Sequence, residues 1–170
     1  MCAKTPAMKR LLIVYHSLTG GARQMAEAAA RGARSEVGIE VQLLHAAEAG
    51  GAELLAADGY LFITPENLAA ISGVMKDFFD RSYYAALDRI NARPYASLIC
   101  AGSDGENAAR QIARIATGWR LKAVADPLIV CTHAQTTAAI LAAKVISAVD
   151  LQRCEEAGAA LAAGLVLGIF

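Results

Sequence analysis

Three polar, glycine-bearing stretches interrupt an otherwise apolar chain, and they hold most of the residues that could do chemistry. The first is HSLTGGAR, where the apolar run 11–15 breaks off into His16, Ser17, Thr19, Gly20 and Gly21 before an alanine-rich helical pattern begins. N–H groups at a helix start lack partners and carry partial positive charge, and glycines let the backbone approach a ligand. That combination suits an anion. A Walker loop is excluded because no Gly-Lys-Ser/Thr is present, and the dinucleotide fingerprint G-x-G-x-x-G is absent. Nor is there the Cys and Arg pair that a phosphatase needs. The donors that remain are the hydroxyls of Ser17 and Thr19 and the N–H groups of residues 18–22. The loop holds no lysine, so a phosphate here would be held largely by neutral donors. The competing reading is a tight strand–helix turn with a hydroxyl cap.

The second stretch is ITPENLAAISG. Pro65 restricts Thr64 to extended geometry, so the strand is expected to end there, leaving Glu66 and Asn67 as polar edges. A receiver domain would place an aspartate at this strand end or at the first, and neither has one. The third stretch, CAGSDGENAAR, sets Ser103 and Asp104 between Gly102 and Gly105, and either polar residue could cap the following helix. Each loop alone could be ordinary turn chemistry; all three together make that reading weak. No side chain is assigned as general acid or base, and none as a metal ligand. His16 is the nearest ionisable candidate, but a histidine at a strand end is more often structural.

The elements that must position these loops follow from periodicity. Runs 11–15, 60–63, 97–100 and 128–131 are nearly continuous in apolar residues, as parallel strands buried on both faces are. Residues 39–44 alternate instead, with Glu40 and Gln42 between Ile39, Val41 and Leu43, which marks an edge strand. Helices are predicted at 22–34, 72–86, 106–116 and 136–164, with a short turn of helix near 52–57. In the second of these, Val74, Met75, Phe78 and Phe79 form an apolar stripe opposite Lys76, Asp77, Asp80 and Arg81. The β-α alternation predicts an α/β three-layer sandwich with a five-stranded parallel sheet in the order 2-1-3-4-5. In such a sheet, ligands sit beyond the carboxyl ends of the strands where strand order reverses, which is where the three loops belong.

Composition bounds the rest. At 170 residues, with no linker or repeat, residues 1–170 read as one domain. Lys+Arg number 16 against Asp+Glu 16, so net charge gives no case for nucleic acid or an anionic membrane. The hydrophobic fraction of 56% is inflated by alanine, as is the mean hydropathy of +0.38. The terminal AGAALAAGLVLGIF falls short of the ~20 residues that cross a bilayer. It reads as a helix end or a subunit contact. Cys2, Cys100, Cys131 and Cys154 form no C-x-x-C pair and read as buried or incidental thiols in a reducing compartment, with a cytoplasmic location expected.

SLTGGARQMAEAAARGA and TPENLAAISGVMKDFFDR, in this order and spacing, resemble the flavodoxin-like family. The likeness spans about residues 9–156 and is nearest the NAD(P)H-dependent FMN reductases and NAD(P)H:quinone oxidoreductases. It implies a flavodoxin-like, FMN-binding domain. Ser17, Leu18, Thr19, Gly20, Gly21 and Ala22 would wrap the phosphate. Pro65, Glu66, Asn67 and Leu68 would line the isoalloxazine ring, and Gly102, Ser103, Asp104 and Gly105 would close its other side. Many members carry a threonine at the position of Ala22. The resemblance also implies NAD(P)H as co-substrate and a small-molecule electron acceptor such as a quinone or flavin. It implies a homodimer or higher homo-oligomer too, for which the apolar tail offers a surface. Two other classes stay open: a flavodoxin-type electron carrier, and a flavin-binding regulatory module without turnover. Neutral charge and loops 64–71 and 101–107 without aromatics weigh against the carrier. So does the lack of a glycine in the second loop before Gly73, since carriers of that family commonly use a glycine there that turns over on one-electron reduction.

Overall fold

The computed structural model describes residues 8–170, and Cys2 lies outside them. In chain order the elements are β1 (Lys9–Tyr15), α1 (Gly21–Arg34), β2 (Ile39–His45), α2 (Gly51–Ala56), β3 (Gly59–Asn67) and β4 (Ala70–Ile71). They continue with α3 (Gly73–Ala86), β5 (Pro94–Ala101), α4 (Glu106–Gly118), β6 (Lys122–Ala123), β7 (Leu128–Cys131), α5 (Thr137–Leu141) and α6 (Ala148–Leu167). Side chains alternate across a strand, and this divides β1 between two cores. Leu11 and Ile13 join Met25 and Ala29 of α1 and Leu161 of α6, whereas Leu12 and Val14 join Met75 and Phe78 of α3 and Ile112 of α4. The sheet is therefore the middle of three layers.

Parallel pairing runs β2-β1-β3-β5, and both β6 and β7 pair with the remaining edge of β5. The five expected strands take the expected order. The sheet nonetheless has seven strands, because two-residue β6 and β4 were too short to leave a periodic signal. β2 is the wet edge that its alternation predicts, with Glu40 exposed between half-buried Ile39 and Val41. The stripe on α3 is core as expected, and its far face carries the ion pairs Lys76–Asp80 and Asp77–Arg81, both at 2.6 Å.

Alanine richness has a packing reason. On the outer layer, α1 and α6 approach so closely that a Cβ on Gly158 would lie 2.0 Å from the Ala29 carbonyl oxygen. One on Gly32 would lie 1.9 Å from that of Glu155. Only small residues permit such backbone contact.

Three expectations need correction. The predicted helix 136–164 is two helices, α5 and α6, joined by extended chain. N–H groups that would continue the helix are used elsewhere: Lys144 N donates to Thr19 O and Ile146 N to Gln24 Oε1, after which Ser147 caps α6. Strand β3 does not end at Pro65 but runs to Asn67 and turns back into β4. Finally, neither Ser103 nor Asp104 caps α4; Gly105 occupies the N-cap at φ 85°, without a side-chain cap.

The apolar tail divides. Leu161, Ala162 and Leu165 are buried, whereas Leu167 and Ile169 are exposed beyond a left-handed Gly168. This end of α6 packs near Gly59 and Pro94, at the starts of β3 and β5. Among the described residues, no helix is long and apolar enough to cross a membrane.

Candidate functional site

The loop between β1 and α1 is short because Gly20 takes φ 88° and becomes the N-cap of α1. A side chain there would be strained whatever the space around it. Ser17 Oγ accepts from Gly20 N at 3.1 Å and closes the turn. The cap has no side-chain partner, so the first-turn N–H groups of α1 face the sheet mouth unclaimed by a capping group. Beneath them lies the Cys100 thiol, 2.6 Å from where a Cβ on Gly21 would be.

The second loop is a two-residue β-hairpin. Glu66 pairs with Ile71 and Asn67 with Ala70, leaving Leu68 and Ala69 to turn at φ 51° and 57°. Left-handed backbone costs such residues roughly 1–2 kcal/mol each. The absence of glycine does not keep this loop out of positive φ. Helix α4 supplies the restraint, one helical turn apart on one face. Asn107 Nδ2 donates to Ala69 O at 2.5 Å, and Gln111 Oε1 accepts from Ile71 N at 2.9 Å. The third loop is tied to the same wall, because Gly105 N donates to Glu66 Oε2 at 2.8 Å. The other carboxylate oxygen, Glu66 Oε1, is buried without a partner.

These walls enclose a cavity of about 730 Å³ at the carboxyl ends of β1, β3 and β5. Its lining includes Ser17, Leu18, Thr19, Gly21 and Ala22, then Pro65, Glu66, Asn67 and Leu68, then Gly102 and Ser103. Gly20 instead borders a neighbouring cavity of about 550 Å³, shared with Tyr15, Arg23 and His45. Asp104 is exposed and Gly105 is buried under Ile129, and neither lines the main cavity.

Sequence reasoning missed a fourth wall. Thr132, Ala134, Ile140, Leu141 and Lys144 complete the cavity from the segment that follows β7. Among the described residues on the lining, Lys144 is the one basic side chain and Glu66 the one acidic. Lys144 thus brings a cation to the wall that Thr19 shares, where the loop itself has no lysine. The ammonium is folded back on its own segment, donating to Ala139 O at 2.7 Å, Ile140 O at 2.9 Å and Ala142 O at 2.6 Å. No spacing rule links residue 144 to residue 19.

Electrostatics separate reactive from structural groups. Burial pushes the Cys100 thiol up to about 11, with Lys144 opposing in part, and the Cys154 thiol up to about 12. Both stay protonated at neutral pH and serve as packing groups. His16 is buried, its Nδ1 has no partner, and its ring lies 5.4 Å from that of His45. Burial lowers its pKa, and His45 lowers it further. It does not line the main cavity, in keeping with a structural role. Among the described residues, no cluster of three or more His, Cys, Asp or Glu side chains could hold a metal.

The donor set fits FMN: a helix N-terminus with glycine and hydroxyl neighbours for a phosphate, a largely apolar slot, and an orphaned carboxylate oxygen for a ring N–H.

Comparison with solved structures establishes the fold. The chain superposes on a WrbA-like flavodoxin from Agrobacterium tumefaciens with TM-score 0.75 and 22% identity, over 94% of this chain and 98% of that one. An archaeal flavodoxin gives 0.74 and 19%, over 92% and 99%. Among curated proteins, a flavodoxin of Aquifex aeolicus is 44% identical over 73 residues, covering 43% of this chain and 40% of that protein. An NAD(P)H dehydrogenase (quinone) of Acidithiobacillus ferrooxidans is 39% identical over 95 residues, covering 44% and 48%. The chain thus spans less than half the length of either curated relative. The model of a family described as NADPH-dependent FMN reductase matches residues 46–136, which include the hairpin and the third loop. The chain belongs to the NADPH-dependent FMN reductase family of flavodoxin-like proteins.

Proposed function

We propose that this protein holds FMN in the four-walled cavity and is an oxidoreductase taking an electron pair from NAD(P)H to a small acceptor. One observation supports this most. The α1 N-terminus, the 65–69 hairpin and Gly102–Ser103, far apart in sequence, line one cavity. When bound, FMN supplies the chemistry of accepting a hydride from reduced nicotinamide and releasing electrons to a second substrate. The chain's own part is to bind and orient. The N–H groups of α1 and the Thr19 hydroxyl would hold the phosphate, Glu66 Oε1 would accept from a ring N–H, and the braced hairpin would keep one ring edge fixed. No side chain is assigned to move a proton.

The tail and the cavity lie at opposite ends of the sheet, so a dimer formed through Leu167 and Ile169 would not complete the cavity. A homodimer that does so would use the exposed rim of Leu18, Leu68, Ile140 and Leu141. The carrier reading draws support from the Aquifex flavodoxin relative. Against it, a net charge of zero gives the chain no overall acidity to attract a basic partner.

Purified protein reconstituted with FMN should be yellow and should oxidise NADH or NADPH when a quinone or free flavin is present. A colourless protein after reconstitution overturns the cofactor reading. A yellow protein that never oxidises either nucleotide leaves the carrier.

A further inference from the structure

We infer that Gln24 is a positioning residue which sets the phosphate end of the site, by clasping the α1 loop to the segment after α5. The inference rests on the cofactor reading above and concerns how the site discriminates FMN from the same ring without a phosphate.

Gln24 stands one turn into α1, and its side-chain amide is fully engaged. Nε2 donates to Gly20 O at 3.0 Å and to Lys144 O at 2.7 Å, while Oε1 accepts from Ile146 N at 3.1 Å. Lys144 N donates to Thr19 O at 2.8 Å alongside. Three hydrogen bonds thus join loop and helix start to residues 144–146, which lie 120 or more positions away. On the other side, α5 has no buried residue. It is held by the Thr136 cap and by Lys144 Nζ on its last carbonyls. Nothing in its own packing would keep Lys144 beside Thr19. The Gln24 clasp does so, together with Ile146, which is buried in the core.

The chemistry follows from what the clasp leaves free. Thr19 O accepts from Lys144 N, and Gly20 O accepts from both Gln24 N and Gln24 Nε2. The carbonyls of the loop are thereby turned away and occupied, while the N–H groups of the helix start are left for an anion. A Gln24 variant strips Gly20 O of its side-chain donor and unfastens residues 144–146, so that Thr19 O keeps only an unclasped partner; a loosened carbonyl can then compete for those N–H groups or repel a phosphate. The isoalloxazine walls, built from the hairpin and the third loop, make no hydrogen bond to Gln24. Loss of the clasp should therefore damage phosphate recognition and spare ring recognition.

The test compares FMN with riboflavin on the purified full chain by flavin fluorescence titration. Gln24→Leu removes all three side-chain bonds; Gln24→Glu keeps length and helix propensity but loses both donated bonds. Each variant should bind FMN about tenfold or more weakly, and riboflavin less than about threefold more weakly. Inorganic phosphate should compete with FMN less well in the variants than in wild type. If Gln24→Leu misfolds by circular dichroism, Gln24→Glu carries the comparison. Equal weakening of both flavins, or an unchanged FMN to riboflavin ratio, overturns the inference while leaving the cofactor reading in place. Wild-type protein that takes neither flavin overturns both.

Discussion

Two walls of one cavity reach left-handed backbone by opposite means. At the α1 loop the residue at positive φ is Gly20, and the turn closes locally through Ser17. At the hairpin the residues are Leu68 and Ala69, with Leu68 102% exposed and so held by no packing of its own. There the conformation is imposed from outside, by Asn107 and Gln111 of α4. A glycine loop is relaxed and can approach a ligand closely; a braced loop is strained and resists moving. The contrast suits an anion cradle facing a fixed ring wall.

The largest effect expected from breaking this contrast is at Gly20. Gly20→Val should still fold, since the nearest atom to its Cβ is Gln24 Nε2 at 3.8 Å, but φ strain of roughly 1–2 kcal/mol should lower the melting temperature by about 3–8 °C. It should weaken FMN about a hundredfold or more, through φ strain and misdirected N–H donors. Thermal melts and flavin titration on one sample check both parts; wild-type affinity in a folded variant would place the phosphate elsewhere.

On the other wall the sign should reverse. Asn107→Leu removes the brace and should cost about 1 kcal/mol in urea denaturation, with faster amide exchange across residues 66–71. Ala69→Gly relieves strain and should be neutral to stabilising by up to about 1 kcal/mol, the gain offset in part by unfolded-chain entropy. A clear loss of stability in Ala69→Gly would show that the hairpin carries no strain.

The smallest effect concerns His16, where the α1 loop leaves the sheet. Its pKa is lowered by burial in the folded protein, so as pH falls below about 6.5 the unfolded chain takes up the proton first. Stability from the neutral, buried ring is complete above that pH and declines below it. Wild type should therefore lose more melting temperature between pH 7 and pH 5 than His16→Leu does. Equal slopes would mean that His16 titrates as it does in the unfolded chain.

The α1 loop was legible because everything that shapes it is local: a strand end, hydroxyls, two glycines and a helix start within a few residues. The five longer strands and their order were legible for a similar reason, as burial on two faces writes a continuous apolar run and a wet edge writes alternation. The hairpin was half legible. Pro65, Glu66 and Asn67 marked a polar turn, but Leu68 and Ala69 carry no turn chemistry, and their brace comes from residues nearly forty positions away.

By itself, the sequence determined the layers, the strand order, the glycine turn between β1 and α1 and the family. Only the tertiary structure decided where α5 ends, that Lys144 stands beside Thr19, and that Gln24 joins the two. The reason is physical. Helices and strands satisfy their backbone groups at fixed short separations and so leave a period in the sequence. Lys144 and Ile146 satisfy backbone groups on Thr19 and Gln24, and a hydrogen bond across 120 residues leaves no period to read.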